Sequence, residues 1–246
     1  MKQDQIRNVK MDKQLNPKKH RFPVCIISYA IWRYHRFNDS YRDIQEGLAY
    51  RGIDVSHESI RSWCIKFGSA FRDVIKKQER KPGDKWHLDE MIIKINGQSF
   101  VLWRAVDKDG HELDVFLQKR RDKKAAIRFL SRLLGQYEPP RVIITDKLRS
   151  YVKPIKHMMK KADHRSHKRL NNRVENAHQP TRRKEKCLIK FKSPHGVQRA
   201  LSLMGKVRNI FSVNVGRYSN SAPRRRIAFR DALSIWDEAS RQILCA

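Results

Sequence analysis

Apolar positions along the chain follow two rhythms, and the change between them falls near residue 81. Before it the repeat is helical. "PVCIISYAIWRYHRF" is apolar enough for a buried helix, with Pro23 in a permitted first-turn position. In "DSYRDIQEGLAYRG", Tyr41, Ile44 and Leu48 recur at helical spacing and Gly52 ends the run. Ser56 can cap "HESIRSWCIKFG", where Ile60, Trp63, Cys64 and Phe67 make one apolar stripe. Two short helices joined by a Gly-containing turn, after a preceding helix, predict a helix-turn-helix. Its second helix would present His57, Arg61, Ser62 and Lys66 to a DNA major groove. An ordinary helical hairpin has the same periodicity.

Beyond "KPGDK", the expected boundary, the period shortens. "WHLDEMIIKI", "SFVLWRAVD" and "ELDVFLQKR" read as three successive strands, with "NGQ" and "KDG" as hairpin turns. "DKKAAIRFLSRLLGQY" reads as a helix with Ala126, Phe129, Leu130, Leu133 and Leu134 on one side. "RVIITD" is a short, wholly apolar strand, which suits the centre of a sheet. Together these predict an α/β fold, a mixed sheet covered by helices. "ALSLMGKVRNIFSV" and "IAFRDALSIWDEASRQI" read as amphipathic helices packed on that sheet, the second through Phe229, Leu233 and Trp236.

Charge sharpens this picture. The 246 residues hold 55 Lys+Arg against 25 Asp+Glu, a formal charge of +30. So large an excess repels itself unless a polyanion neutralises it, and double-stranded DNA is the natural partner. With 39% apolar residues, five Trp and ten Phe, the chain can still build a core. The polar segment 1–22 has no signal-peptide h-region, and the apolar run 24–32 is too short for a membrane span. The four cysteines lack C-x-x-C spacing and read as reduced, mostly buried thiols. His157, His164 and His167 have no cysteine pair beside them and read as backbone-contacting or solvated. The expected compartment is the cytoplasm, at the nucleoid, with no membrane partner and no small-molecule substrate.

The acidic residues then sort themselves. Asp107 and Asp109 flank a turn that favours aspartate, and Asp122 sits at a helix N-cap. Asp89 lies inside a strand, where aspartate is disfavoured, and Asp146 ends the buried strand. Sites in open α/β sheets gather at the carboxyl ends of strands. Two carboxylates on adjacent central strands repel unless a cation lies between them, and a divalent metal is the usual answer. Glu175 stands alone among the bases of "KRLNNRVENAHQPTRRK". Asn172 to Glu175 has capping-box spacing, which explains a glutamate there but not the lack of other acids nearby.

"WHLDE", "LWRAVDKDG", "KRRDKKAA", "ITDKLRSY", "NNRVENAHQPTRR" and "FKS" resemble, in this order, the blocks of bacterial insertion-sequence transposases of the DDE superfamily. The similarity is to the compact branch numbered six among insertion sequences. It implies a ribonuclease-H-like core in which Asp89, Asp146 and Glu175 are catalytic and bind two Mg²⁺, with Mn²⁺ as a substitute. It also implies a basic residue seven after the glutamate, here Arg182. Pro180 lies between the two and predicts a kink or restart of that helix. The implied reaction is hydrolysis that frees 3′-hydroxyls at the element ends, then their attack on target DNA, with replicative cointegrates. Lys147, Arg182, Arg183 and the loop arginines Arg224 and Arg225 are read as phosphate contacts. Holding two ends together requires a homodimer or higher oligomer.

The domain reading is a basic arm over 1–22, the helix-turn-helix region over 23–80, the catalytic domain over 84–215 and a helical tail over 216–246. Rival readings are a non-catalytic helix-turn-helix regulator and a catalytically decayed transposase. A tyrosine recombinase would have to use Tyr218 beside Arg217, a poor site in a Gly/Asn/Ser-rich loop.

Overall fold

The computed structural model describes residues 17, 20–146, 149–166, 172–188, 191–212 and 222–245. Lys147, His167 and the segment around Arg217 and Tyr218 lie outside the described residues, as does most of the arm 1–22. Three helices open the chain: α1 (Val24–Arg36), α2 (Tyr41–Ala49) and α3 (His57–Gln78). Ser40 caps α2 in a reciprocal capping box with Asp43, and the Ser56 hydroxyl accepts the Ser59 N–H at the start of α3. The turn between α2 and α3 uses Gly52 at φ +74°, a left-handed conformation that favours glycine.

Three strands follow as an antiparallel meander: β1 (Lys85–Ile95), β2 (Gln98–Asp107) and β3 (Glu112–Gln118). "NG" closes the first hairpin because Asn96 and Gly97 both take positive φ. In the second turn the Asp107 carboxylate accepts the N–H groups of Asp109 and His111. Helix α4 (Lys123–Leu134), capped by Asp122, leads to β4 (Val142–Thr145), which is buried and runs parallel to β1. Helix α5 (Arg149–Met158) leads to β5 (Asp163–Ser166), an edge strand that the polar sequence "DHRS" did not announce. The sheet order is β3-β2-β1-β4-β5. Helices α6 (Asn172–Cys187), α7 (Pro194–Ile210) and α8 (Ala222–Leu244) complete the chain.

Strand alternation sends residues of β1 to two faces. Trp86 and Leu88 join Trp103, Phe129 and Tyr151 under α4 and α5. Met91 and Ile93 join Leu102, Val115 and Leu201 under α7. A third core unites α1, α2 and α3 with Leu203 and Val207 of α7 and Trp236 and Ala239 of α8.

Several expectations are corrected here. Helix α3 does not stop at Gly68 but continues through Phe71 and Ile75, which extend its buried stripe. Helix α8 packs on the N-terminal helices, where Trp236 stacks on Phe71 with ring centroids 4.5 Å apart, and not on the sheet. Arg224, Arg225 and Arg226 lie in its first turns and not in a loop. Among the cysteines only Cys64 is buried; Cys25, Cys187 and Cys245 are exposed. Helix α6 already includes Asn172, so Asn172 is in its first turn and not at the cap, and the helix runs through Pro180. No helix among the described residues is long and apolar enough to cross a membrane.

Candidate active site

Asp89 lies in β1 and Asp146 directly follows β4. The parallel register pairs Leu88 with Thr145, so the next residue on each strand is one of these carboxylates. Hydrogen bonds from the hydroxyls of Thr145 and Ser166 to the Asp146 carbonyl hold the end of β4. His164 meets the Thr145 hydroxyl at 2.9 Å, a side-chain contact in place of the backbone or solvent contact expected for it.

Glu90 was not singled out in the sequence, although it shares the "WHLDE" strand. Carboxylate oxygens of Asp89, Glu90 and Asp146 lie within 4.8 Å of one another. Asp89 faces α6 and α7, whereas Glu90 faces Trp103 and Tyr151 on the other side. At the end of the sheet both side chains converge on Asp146. Arg121, just before α4, donates from Nε to Glu90 Oε1 at 2.6 Å and places a terminal nitrogen 3.5 Å from Asp146 Oδ2. The Glu90 Oε2 atom is buried without a hydrogen-bond partner. Burial first, then the charge of Asp146, pushes the Glu90 carboxyl up to about 7 despite Arg121.

Asp89 is held from the α6 side. His178 Nε2 lies 3.2 Å from Asp89 Oδ2. Burial lowers the imidazole's affinity for a proton, with the Arg104 charge acting in the same direction and Asp89 opposing. Arg104, directly across the antiparallel ladder from Asp89, is fully buried and donates to the Ala177 carbonyl, His178 Nδ1 and the Thr181 hydroxyl. These three residues lie on either side of Pro180, so Arg104 ties this part of α6 to β2. Farther along α6, Lys184 donates to the carbonyls of Tyr34 in the last turn of α1 and of Phe37 and Asp39 just after it. Burial lowers that ammonium to about 8.

Glu175 is on α6, one turn before His178, and its side chain lies outside the described residues. Crowded hard oxygen donors with one buried orphan oxygen fit a hard divalent cation such as Mg²⁺. Arg104, Arg121 and His178 also escaped the sequence reading. Arg121 in "KRRD" and His178 three residues after Glu175 had proximity to the acidic blocks as a signal, and Arg104 had none.

The expected DNA contacts are spread over three helices. Arg61 and Lys66 on α3 are exposed, but His57 is partly buried and bonds Gln45 of α2 through its N–H and ring. Arg61 pairs with Glu58, and Lys66 reaches His20. Arg182 and Arg183 are exposed on α6, and Arg224 and Arg225 on α8.

The family model of the DDE domain matches residues 83–214. The transposase for insertion sequence-like element IS431mec of Staphylococcus aureus (strain Mu50) is 38% identical over 163 residues, covering 64% of this chain and 73% of that one. The transposase for insertion sequence element IS257 in transposon Tn4003 of Staphylococcus aureus is similar to the same extent. Among solved structures, the HTLV-2 integrase catalytic core domain in complex with magnesium (dimeric form) is 16% identical with a TM-score of 0.43. It spans 60% of this chain and 97% of its own. The matched segment holds the whole sheet and the Asp89–Asp146 pair, and together with the two transposases it shows that the chain belongs to the DDE-domain transposases of bacterial insertion sequences.

Proposed function

We propose that the chain binds the ends of an insertion sequence, hydrolyses phosphodiester bonds to free 3′-hydroxyls and joins them to target DNA. The observation that carries this reading is the convergence of Asp89, Glu90 and Asp146 at the carboxyl end of β4. Asp89, Asp146 and Glu175 would hold two Mg²⁺, with Glu90 as a fourth carboxylate beside them. Bound there, such ions supply activation of the attacking oxygen and stabilisation of the leaving one. The chain's own groups do the rest. His178 and Arg104 orient Asp89, and Arg121 offsets the charge shared by Glu90 and Asp146. Lys147, Arg182 and Arg183 grip the phosphates on either side, and Arg61, Lys66, Arg224 and Arg225 hold the DNA backbone farther out.

In this reading residues 23–80 recognise the element end, residues 84–215 carry the chemistry and 216–246 add a basic helix. The active form is a homodimer or larger, since two ends must be joined together. A non-catalytic regulator would leave the carboxylate cluster without a role. The test is a strand-transfer assay on labelled element-end DNA with Mg²⁺, Mn²⁺ or EDTA. Nicked and joined products in either metal, absent in EDTA, are expected. Tight binding without nicking in any metal would instead favour the regulator or a decayed enzyme.

A further inference from the structure

A chain of side chains, fully buried at Arg104 and partly buried elsewhere, runs from α7 to Asp89. Gly205 of α7 leaves room for the Glu112 carboxylate, since a β-carbon there would lie 1.6 Å from Glu112 Oε1. Glu112 Oε2 lies 3.0 Å from Arg104 Nε. One Arg104 terminal nitrogen lies 3.1 Å from His178 Nδ1, and His178 Nε2 lies 3.2 Å from Asp89 Oδ2.

The donor inventory fixes the direction of these bonds. A guanidinium has donors only, so His178 Nδ1 must accept. The ring proton therefore sits on Nε2 and is donated to Asp89. One Asp89 oxygen is engaged in this way, which leaves the other for a cation. The opposite tautomer would set two donors against each other at Nδ1 and two acceptors against each other at Asp89. Arg104 is held in place because it is fully buried, donates to Ala177 and Thr181, and lies in an ion pair with Glu112.

We infer that His178, locked by Arg104 as the Nε2–H tautomer, is a positioning residue that sets the Asp89 carboxylate for metal binding. The same contacts fix α6 over β1 and so set the backbone of Glu175 one turn away. This rests on Asp89 being a metal ligand. Partners of this kind change metal affinity by about 10–100-fold when removed.

The test is Mn²⁺ binding to the full chain, followed by electron paramagnetic resonance of free Mn²⁺, without DNA or turnover. The variants are His178→Ala, His178→Gln and His178→Asn, with folding checked by circular dichroism. A glutamine amide reaches the Nε2 position, whereas an asparagine amide reaches only the Nδ1 position. His178→Ala and His178→Asn are expected to weaken Mn²⁺ by about 10-fold or more, and His178→Gln to stay within about 3-fold of wild type. A merely structural histidine would lower stability in all three without this split. Should the alanine variant not fold, the glutamine and asparagine pair decides alone. Equal affinity in Gln and Asn variants, at or below the wild-type value, overturns the inference while the metal site stands. A wild type that binds no Mn²⁺ overturns the metal reading itself and this inference with it.

Discussion

Asp89 and Glu90 are adjacent in the sequence, yet the pleat of β1 turns them to opposite faces, and each face holds its carboxylate differently. On the α6 side, Asp89 meets a neutral imidazole that is itself fixed by a buried arginine. On the α4–α5 side, Glu90 has Arg121 on one oxygen, and the carboxylate is buried beside Trp103 and Tyr151. The first arrangement orients a carboxylate. The second crowds one against Asp146 and raises its proton affinity. Neighbouring acids in one strand can therefore do different jobs, and the environment decides which.

Mutation should expose the difference most strongly in cleavage. Asp89→Asn and Glu175→Gln are expected to lower nicking of element-end DNA by about 10³-fold or more, the scale of losing an electrostatic contact to the transition state. Glu90→Gln should cost less, about 10-fold, with DNA binding in gel shifts unchanged in all three. Equal losses at Asp89 and Glu90 would erase the contrast between the faces.

The α6 face should also carry more of the stability. Lys184→Met leaves the carbonyls of Tyr34, Phe37 and Asp39 without their donor and should destabilise by about 2–3 kcal/mol in urea titrations.

The Glu90 face should show itself through pH. Its carboxyl is raised from 4.5 to about 7 in the folded chain, so between those values the folded state holds a proton that the unfolded state has released. Stability then falls as pH rises through this window, by on the order of 3 kcal/mol for this group. In EDTA, Glu90→Gln should be relatively more stable than wild type at pH 8 than at pH 5, read from denaturant midpoints. An unchanged difference would remove the crowding argument.

Residues away from both faces should matter least. Arg61→Ala and Lys66→Ala are each expected to weaken DNA binding by about 1 kcal/mol and to reduce the salt slope by about one. Their nicking rate at saturating DNA should not change.

Much of the architecture was legible because period and turn chemistry agree along the chain. β1 to β4 and α1 to α4 follow apolar spacing, caps at Ser56 and Asp122, and the left-handed "NG" turn. Asp89 and Asp146 stood out because each violates or ends a strand pattern. The rest depended on contacts distant in sequence. β5 is polar and pairs with β4 through its backbone and through polar side chains, so it has no apolar signature. The apolar stripe of α8 says that something covers it, but not that α3 does rather than the sheet. Arg104 reads as an ordinary strand arginine until register sets it opposite Asp89 and under α6. Helix α6 runs through Pro180, and its contacts with Arg104 at Ala177, His178 and Thr181 come from a distant strand that no local rule announces.

The most direct test of the central claim is nicking of labelled element-end DNA by wild type and Asp146→Asn side by side, across a Mg²⁺ titration. Metal-dependent nicking by wild type and none by the variant at any Mg²⁺ concentration is expected, with both proteins binding the DNA equally. Nicking by Asp146→Asn at the wild-type rate would contradict it, because the carboxylate pair on β1 and β4 would then not be the site of the chemistry.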